Sequence, residues 1–333
     1  MTILNVSDRG TRWRVYEKEM LEKHFGNAVD LQTNSSYQSI DFSNIQAVFW
    51  RLNSDEMTQE TLSWAMDLYY FLDKKNIKSI NSPTAYLNVH CKDEAFATWE
   101  KASVRHPECQ VFNSADEIKI NYPFLIRLNN EVTGRSSYLV KNKAELDHYS
   151  RKLEGDFNKV KNKKPFTRKI AVKFIDASKE DGKYNLSYRV IVAGDSVITG
   201  YARLSEATDW VAITGKFKEE MGPLFIKYQE RCNNIMKERK QEIIRSVSSL
   251  GLDLQGVDII EDQDGRLYFL ECQPGFSTGY ADWRRPFYNP YQSPLVEFIL
   301  KNQNEFKTRC PLYFNNWLNK KRLFNLIFNN LQK

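Results

Sequence analysis

Asp258, Glu271 and Gln273 are the residues whose types and spacing could act together. They belong to the stretch GVDIIEDQDGRLYFLECQPG, residues 256–275, in which two apolar runs flank Asp264-Gly265. An Asp-Gly pair between strand-like runs signals a tight two-residue hairpin turn. Such a turn sets Gln263 opposite Arg266 and Asp258 opposite Glu271, at a non-hydrogen-bonded position where side chains come closest. Gln273, two residues beyond Glu271, projects to the same side. Two facing carboxylates at roughly 4 Å, with an effective dielectric of about 20, repel by about 4 kcal/mol. A shared proton, an intervening basic side chain or a cation relieves this. Magnesium fits the last case: it takes one or two carboxylates and completes its shell with substrate phosphates. The competing arrangement is an exposed hairpin with both acids in water. A four-residue turn, Asp262 to Gly265, would instead set Asp258 opposite Phe269.

The elements that must hold these groups are legible in outline. Tyr188 to Val192 and Val197 to Tyr201 flank Gly194-Asp195, a second hairpin signal, with Arg189 and Arg203 at its far ends and able to converge on one anion. Leu224 to Leu250 reads as one long helix stopped by Gly251. Tyr122 to Arg127 and Ser136 to Val140 read as strands around a polar loop, Asn129 to Arg135 with Gly134, of a kind that can fold over phosphates or form a plain hairpin. Lys143 to Leu153 reads as helix, Lys159 to Lys164 as a solvated basic loop, and Ile170 to Ile175 as a strand ending at Asp176. Residues 84–105 read as helix in two pieces around His90-Cys91-Lys92-Asp93, with Asp93 able to cap the second and Lys92 at its start. A lysine there could serve an anion or simply lie exposed.

Toward the N-terminus, apolar strand runs at Ile3 to Val6, Ile45 to Leu52 and Ile77 to Ile80 alternate with helical spacing over 12–25 and Thr58 to Leu72. That order argues for a small parallel α/β unit. The polar Ser7-Asp8-Arg9-Gly10 after the first strand suggests a ligand edge but has no dinucleotide fingerprint. Toward the C-terminus, Pro294 to Phe306 and Trp317 to Leu331 read as helices, the last with a basic tail of Lys320, Lys321, Arg322 and Lys333.

At 333 residues the chain has room for two or three packed domains. A net charge of +6 permits an anionic small ligand and does not call for nucleic acid. No stretch has a signal-peptide layout or the length of a membrane span. The five cysteines, scattered without metal-ligand spacing, fit a reduced, cytoplasmic protein.

The order of these features resembles the ATP-grasp superfamily, in particular carboxylate–amine ligases similar to glutathione synthetase and the ribosomal-protein glutamate ligase. Its most specific part runs from Gly251-Leu252 through Gly256-Val257-Asp258 to Leu270-Glu271-Cys272-Gln273-Pro274-Gly275, where the family reads Glu-x-Asn followed by Pro-Gly. The resemblance implies an α+β ATP-grasp fold over residues 91–310, with a lid-bearing part at 91–170 and a catalytic part at 171–310. It also implies a parallel α/β domain at 1–90 ahead of it and a C-terminal helix at 311–333. It assigns magnesium, with manganese able to substitute, to Asp258, Glu271 and Gln273. ATP falls to Lys92, Arg127, the loop positions Gly134 and Ser136, and the hinge strand Lys173, Phe174, Ile175 and Asp176. Arg189 and Arg203 match the pair facing the γ-phosphate and the reacting carboxylate. The departures are Gln273 for Asn, Arg127 for Lys, Lys173 for Glu, Ser187 at an often acidic position, and no Asn in Trp210 to Phe217.

The implied reaction joins a carboxylate to an amine through an acylphosphate, on a small-molecule, amino-acid or peptide substrate. A kinase acting on a small-molecule or glycan acceptor, or a nucleotide-binding protein without turnover, stays open. So does a homodimer.

Overall fold

The computed structural model describes residues 2–7, 18–19, 21–52, 57–131, 134–164, 166–207, 218–273, 298–299, 301–317, 326–327 and 329–330. The chain divides into two units, Met1–Ile175 with Ser249–Leu252, and Asp176–Ser248 with Asp253–Lys333. Among the described residues no helix is long and apolar enough to cross a membrane.

The first unit holds two sheets. Strands β1 (Thr2–Ser7), β2 (Asn27–Gln32), β3 (Ile45–Arg51) and β4 (Lys78–Ile80) form a parallel sheet in the order β2-β1-β3-β4. Helix α1 (Gln59–Asp73) buries Leu62, Ala65, Leu68 and Leu72 at helical spacing, and the Thr58 hydroxyl caps it by accepting from Thr61 N–H. The sequence pattern misses β2, which buries only Ala28 and Leu31 and carries Asp30 between them. Asp30 is satisfied there by the Asn5 amide at 3.0 Å. Of the helix expected over 12–25, residues 18, 19 and 21–25 are helical and the rest lies outside the described residues.

The second sheet is antiparallel, in the order β5-β8-β6-β7, from β5 (Cys109–Val111), β6 (Phe124–Leu128), β7 (Ser137–Val140) and β8 (Lys169–Lys173). Phe124, Ile126 and Leu128 alternate inward and pack with Leu146 and Leu153 of helix α4 (Lys143–Val160). This helix outruns the expected Leu153 because Phe157 and Val160 extend its apolar stripe onto the same core. Lys159 is therefore helical, and Lys164 is largely shielded rather than solvated, paired with Glu131 at 2.7 Å. Between the sheets' sequences lie α2 (Pro83–His90) and α3 (Lys92–Lys101).

The second unit is built on an antiparallel sheet, β11-β10-β12-β13, with the short β9 (Ser178–Lys179) also paired to β10. Its strands are β10 (Tyr184–Ala193), β11 (Ser196–Glu206), β12 (Leu254–Glu261) and β13 (Leu267–Gln273). The expected single helix is two, α5 (Gly222–Glu238) and α6 (Lys240–Ser248), broken at Arg239 with neither proline nor glycine there. Helix α5 lies close on β11. Buried Gln229 accepts from Ala202 N–H at 3.0 Å and donates to Gly200 carbonyl at 2.9 Å. A Cβ at Gly200 would stand 2.9 Å from Met236 Sδ and 3.1 Å from both Cys232 Sγ and Arg189 carbonyl. Gly200→Ala is thus expected to destabilise the protein by about 1–3 kcal/mol, read as a lower denaturant midpoint at unchanged slope. Helix α7 (Gln303–Arg309) is followed by a π-helical turn at Tyr313–Trp317; the expected Trp317 to Leu331 helix lies mostly outside the described residues, as does the tail Lys320, Lys321, Arg322 and Lys333.

Candidate functional site

Asp258 and Glu271 are cross-strand partners on β12 and β13, reached by a different turn from the one the Asp-Gly pair suggests. Asp262 and Arg266 close a loop of Gln263, Asp264 and Gly265, with Asp262 N–H donating to Arg266 carbonyl at 3.0 Å. Gly265 takes the left-handed conformation, φ 78°. This is the three-residue hairpin with a glycine bulge. Asp262 selects it: its carboxylate accepts from Asp264 N–H at 2.9 Å and Arg266 N–H at 2.8 Å. The longer loop pairs Ile259 with Phe269, a register that alone would not bring Asp258 to Glu271. A bulge between Ile259 and Asp258 inserts Leu270 and restores the pairing.

The pairing continues across the sheet. Asp258 also faces Arg189 on β10, and Arg189 faces Tyr201 on β11, so Tyr201, Arg189, Asp258 and Glu271 form one transverse row on one face. Arg203, two residues from Tyr201, projects to the same face. Arg189 grips Asp258 with Nε on one carboxylate oxygen at 2.6 Å and a terminal nitrogen on the other at 2.7 Å. Arg203 reaches the second oxygen at 2.8 Å, and its Nε donates to Ser187 Oγ at 3.1 Å. The two arginines of the Gly194-Asp195 hairpin do converge, and the anion they converge on here is Asp258.

Basic side chains therefore relieve Asp258 of the repulsion that facing acids impose, and the residue is buried rather than exposed. Burial alone would raise its pKa, but the Arg189 and Arg203 charges and hydrogen bonds outweigh it and hold the carboxyl below its ordinary value. Burial would likewise lower that of Arg189, but Asp258 foremost, with Tyr201 and Glu271, keeps it well above.

The donor set suits a hard cation. Glu271 and Gln273 lie on one face of β13, with a hydrogen bond from Gln273 Nε2 to Glu271 Oε1, so the amide oxygen is the donor that a flipped amide would offer. Asp258, saturated by guanidinium hydrogen bonds, adds negative charge next to them more than open lone pairs. Among the described residues no group of three or more His, Cys, Asp or Glu could hold a metal ion.

In the first unit, Lys92 is buried at the first turn of α3 and its Nζ donates to the Glu131 carbonyl at 3.1 Å. A terminal nitrogen of Arg127, at the end of β6, donates to the same oxygen at 2.6 Å. The expected cap Asp93 is not the cap. Cys91 holds that position without a side-chain bond to the helix's own N–H groups, while Asp93 pairs with Arg168 at 2.8 Å and accepts from the Asn129 amide at 2.8 Å. Sequence reasoning missed Asn129. Its side chain also donates to Phe166 carbonyl at 3.1 Å and accepts from Arg168 N–H at 2.9 Å, and its carbonyl accepts from Lys92 N–H at 3.1 Å. It ties α3, β6 and β8's approach together, and the one hint in the sequence is an Asn-Asn pair directly after an apolar strand. In the following loop Gly134 and Ser136 both take positive φ, 75° and 47°.

Lys173 ends β8, with its Nζ donating to Asn121 carbonyl at 3.0 Å. Phe174 N–H donates to Pro123 carbonyl at 3.3 Å, and Ile175 follows at the unit's edge. Tyr122, Pro123, Leu139, Lys141 and Phe174 line a cavity of about 350 Å³. Leu139 pairs with Leu125, two residues from Arg127, so the cavity and Arg127 share a face of the sheet. Asp176, in the other unit, accepts from Ser178 N–H at 2.9 Å. Pro274, Gly275 and Trp210 to Phe217 lie outside the described residues.

No family profile matches the chain, and no curated protein matches it by sequence. Solved structures do match in fold. A RimK-domain ATP-grasp protein of Sphaerobacter thermophilus aligns with TM-score 0.52 and 16% identity over 90% of this chain and 100% of that one. The macrocyclase MdnC of Microcystis aeruginosa, bound with precursor peptide MdnA, gives 0.54 and 14% over 90% and 99%. An L-amino acid ligase of Bacillus licheniformis gives 0.54 and 15% over 90% and 71%.

Proposed function

We propose that this chain, which has the ATP-grasp fold, is an ATP-dependent carboxylate–amine ligase, and the observation that carries this reading is the row Arg189–Asp258–Glu271 with Arg203 beside it. It gathers fixed cations and oxygen donors on one sheet face, as phosphoryl transfer needs for positioning and charge neutralisation. A carboxylate oxygen of the substrate attacks the γ-phosphorus, and ADP leaves. An amine then attacks the acyl carbon, and inorganic phosphate leaves with one oxygen from the carboxylate. Arg189 and Arg203 offset charge on the transferring group. Glu271 and Gln273, with Asp258 beside them, would hold magnesium, which when bound neutralises the phosphates.

Lys92 and Arg127 serve phosphates in this reading; both already converge on one oxygen, that of Glu131, as they would on a phosphate oxygen. The apolar cavity at Phe174 and Leu139 suits adenine, and its lining lies about two to four strand residues, or roughly 7–13 Å, from Arg127. Arg127→Met should weaken ATP binding about ten- to a hundredfold, the worth of a charge-assisted hydrogen bond, with the fold retained; titration calorimetry with ATP checks it. The substrate class is an amino acid or peptide, in keeping with two of the matched structures, an L-amino acid ligase and a macrocyclase holding its precursor peptide. Five free cysteines fit a reducing, cytoplasmic setting.

The full grip of two arginines on Asp258 favours a second reading, a nucleotide-binding protein without turnover. A screen for ADP release with amino acids, blocked peptides and small carboxylates, read with mass spectrometry of products, separates the two. New amide with ADP supports the ligase, ADP with a phosphorylated acceptor indicates a kinase, and ATP binding without ADP supports the second reading.

A further inference from the structure

Glu131, shortly after β6, is gripped by cations at both of its ends. Its carbonyl accepts from Lys92 Nζ at 3.1 Å and from a terminal nitrogen of Arg127 at 2.6 Å. Its carboxylate accepts from Lys164 Nζ at 2.7 Å, and Arg135 Nε stands 3.6 Å from the other oxygen. Glu131 and Lys92 are buried, and the Lys164 side chain is largely shielded. The carbonyl and carboxylate of one glutamate lie within roughly 7 Å of each other. Cations from α3, β6 and the approach to β8 therefore face one small patch. The two residues before Glu131 are anchored by neutral bonds instead. The Asn129 amide donates to Phe166 carbonyl at 3.1 Å, and the Asn130 amide donates to Thr167 Oγ1 at 2.8 Å. The Thr167 hydroxyl in turn donates to Lys164 carbonyl at 3.0 Å. The root of the loop thus has its own ties to residues 164–167, separate from the Glu131 carboxylate.

Glu131 offers these cations what a polyphosphate would offer, oxygen acceptors and negative charge. It offers them less strongly, because a neutral carbonyl is a weaker acceptor for Lys92 and Arg127 than a phosphate oxygen. We propose that Glu131 is an internal competitor of nucleotide phosphate. Phosphate displaces the Glu131 carbonyl from Lys92 and Arg127, the carboxylate releases Lys164, and Lys164 becomes a third cation on the phosphates. This rests on the reading of Lys92 and Arg127 as phosphate-binding groups. The apparent affinity for nucleotide is then reduced by the fraction of molecules in which Glu131 is in place. Loosening Glu131 therefore strengthens binding, the opposite sign from removing a side chain that contacts phosphate or supports the loop.

The test is titration calorimetry on the full chain with ATP, inorganic triphosphate and adenosine in turn. It reads binding alone, so its outcome is independent of whether an amide is ever formed. Glu131→Gln should tighten ATP and triphosphate about tenfold and leave adenosine, which has no phosphate, unchanged. Glu131→Asp, one methylene shorter and so drawn off Lys164, should tighten both about threefold, and it carries the test if Glu131→Gln does not fold. Adding Lys164→Met to the folded Glu131 variant should weaken ATP about tenfold, the worth of a charge-assisted hydrogen bond. The proposal is overturned by equal or weaker ATP binding in the folded Glu131 variants, or by a Lys164→Met change without effect on them. Failure of ATP and triphosphate to bind any of these proteins would overturn the phosphate reading of Lys92 and Arg127 as well.

Discussion

Glu271→Ala should lower ATP turnover about a thousandfold while the protein still folds and still binds ATP. The loss follows from removing a carboxylate that would hold magnesium against the phosphates, a contribution of several kcal/mol to transition-state charge. Asp258 cannot replace it, because Arg189 and Arg203 occupy both of its oxygens. ATP binding survives because the row loses a negative charge and keeps both guanidinium groups, which favours an anion. Half-buried Glu271 sits at the end of the row on β13, so unfolding should shift little. Turnover and ATP affinity measured side by side on this variant check the split. Wild-type turnover would remove Glu271 from the mechanism, and loss of both turnover and ATP binding would reduce it to a structural role.

Asp258→Asn should destabilise the protein by about 3–5 kcal/mol at neutral pH, because it leaves Arg189 and Arg203 facing a neutral amide in a buried row. The effect depends on pH in a fixed sense. The folded protein holds the Asp258 carboxyl below its ordinary value, burial being outweighed by the two arginines. Its contribution is then complete above the unfolded carboxyl value of about 4 and is lost as pH falls through the lower folded value. The gap between wild type and Asp258→Asn should therefore stay constant from neutral pH down to about 4 and close below it. Urea unfolding of both proteins across that range checks this; a gap that widens in acid would contradict the ion pair.

The pairing of Asp258 with Glu271 was legible because side-chain alternation and an Asp-Gly turn constrain a hairpin tightly, yet the route was not. The Asp262 side chain chose a longer loop, and a bulge at Leu270 made up the difference. Nothing in the sequence marks Leu270 as the bulged residue. Arg189 and Arg203 were legible as a converging pair, but not their partner, since Asp258 is 69 residues from Arg189 in sequence. The same distance problem hid the Asp93–Asn129–Arg168 network and the burial of Lys92. Strand β2 was missed because an edge strand with two buried positions gives too little alternation to read.

The central claim, activation of a carboxylate as its acylphosphate, is tested most directly by isotope transfer. A donor that elicits ADP release is labelled with oxygen-18 in its carboxylate, and the released phosphate is weighed by mass spectrometry. Each released phosphate should carry one labelled oxygen, and a new amide should form alongside it. Unlabelled phosphate, or label retained wholly in the donor while ADP accumulates, would contradict it.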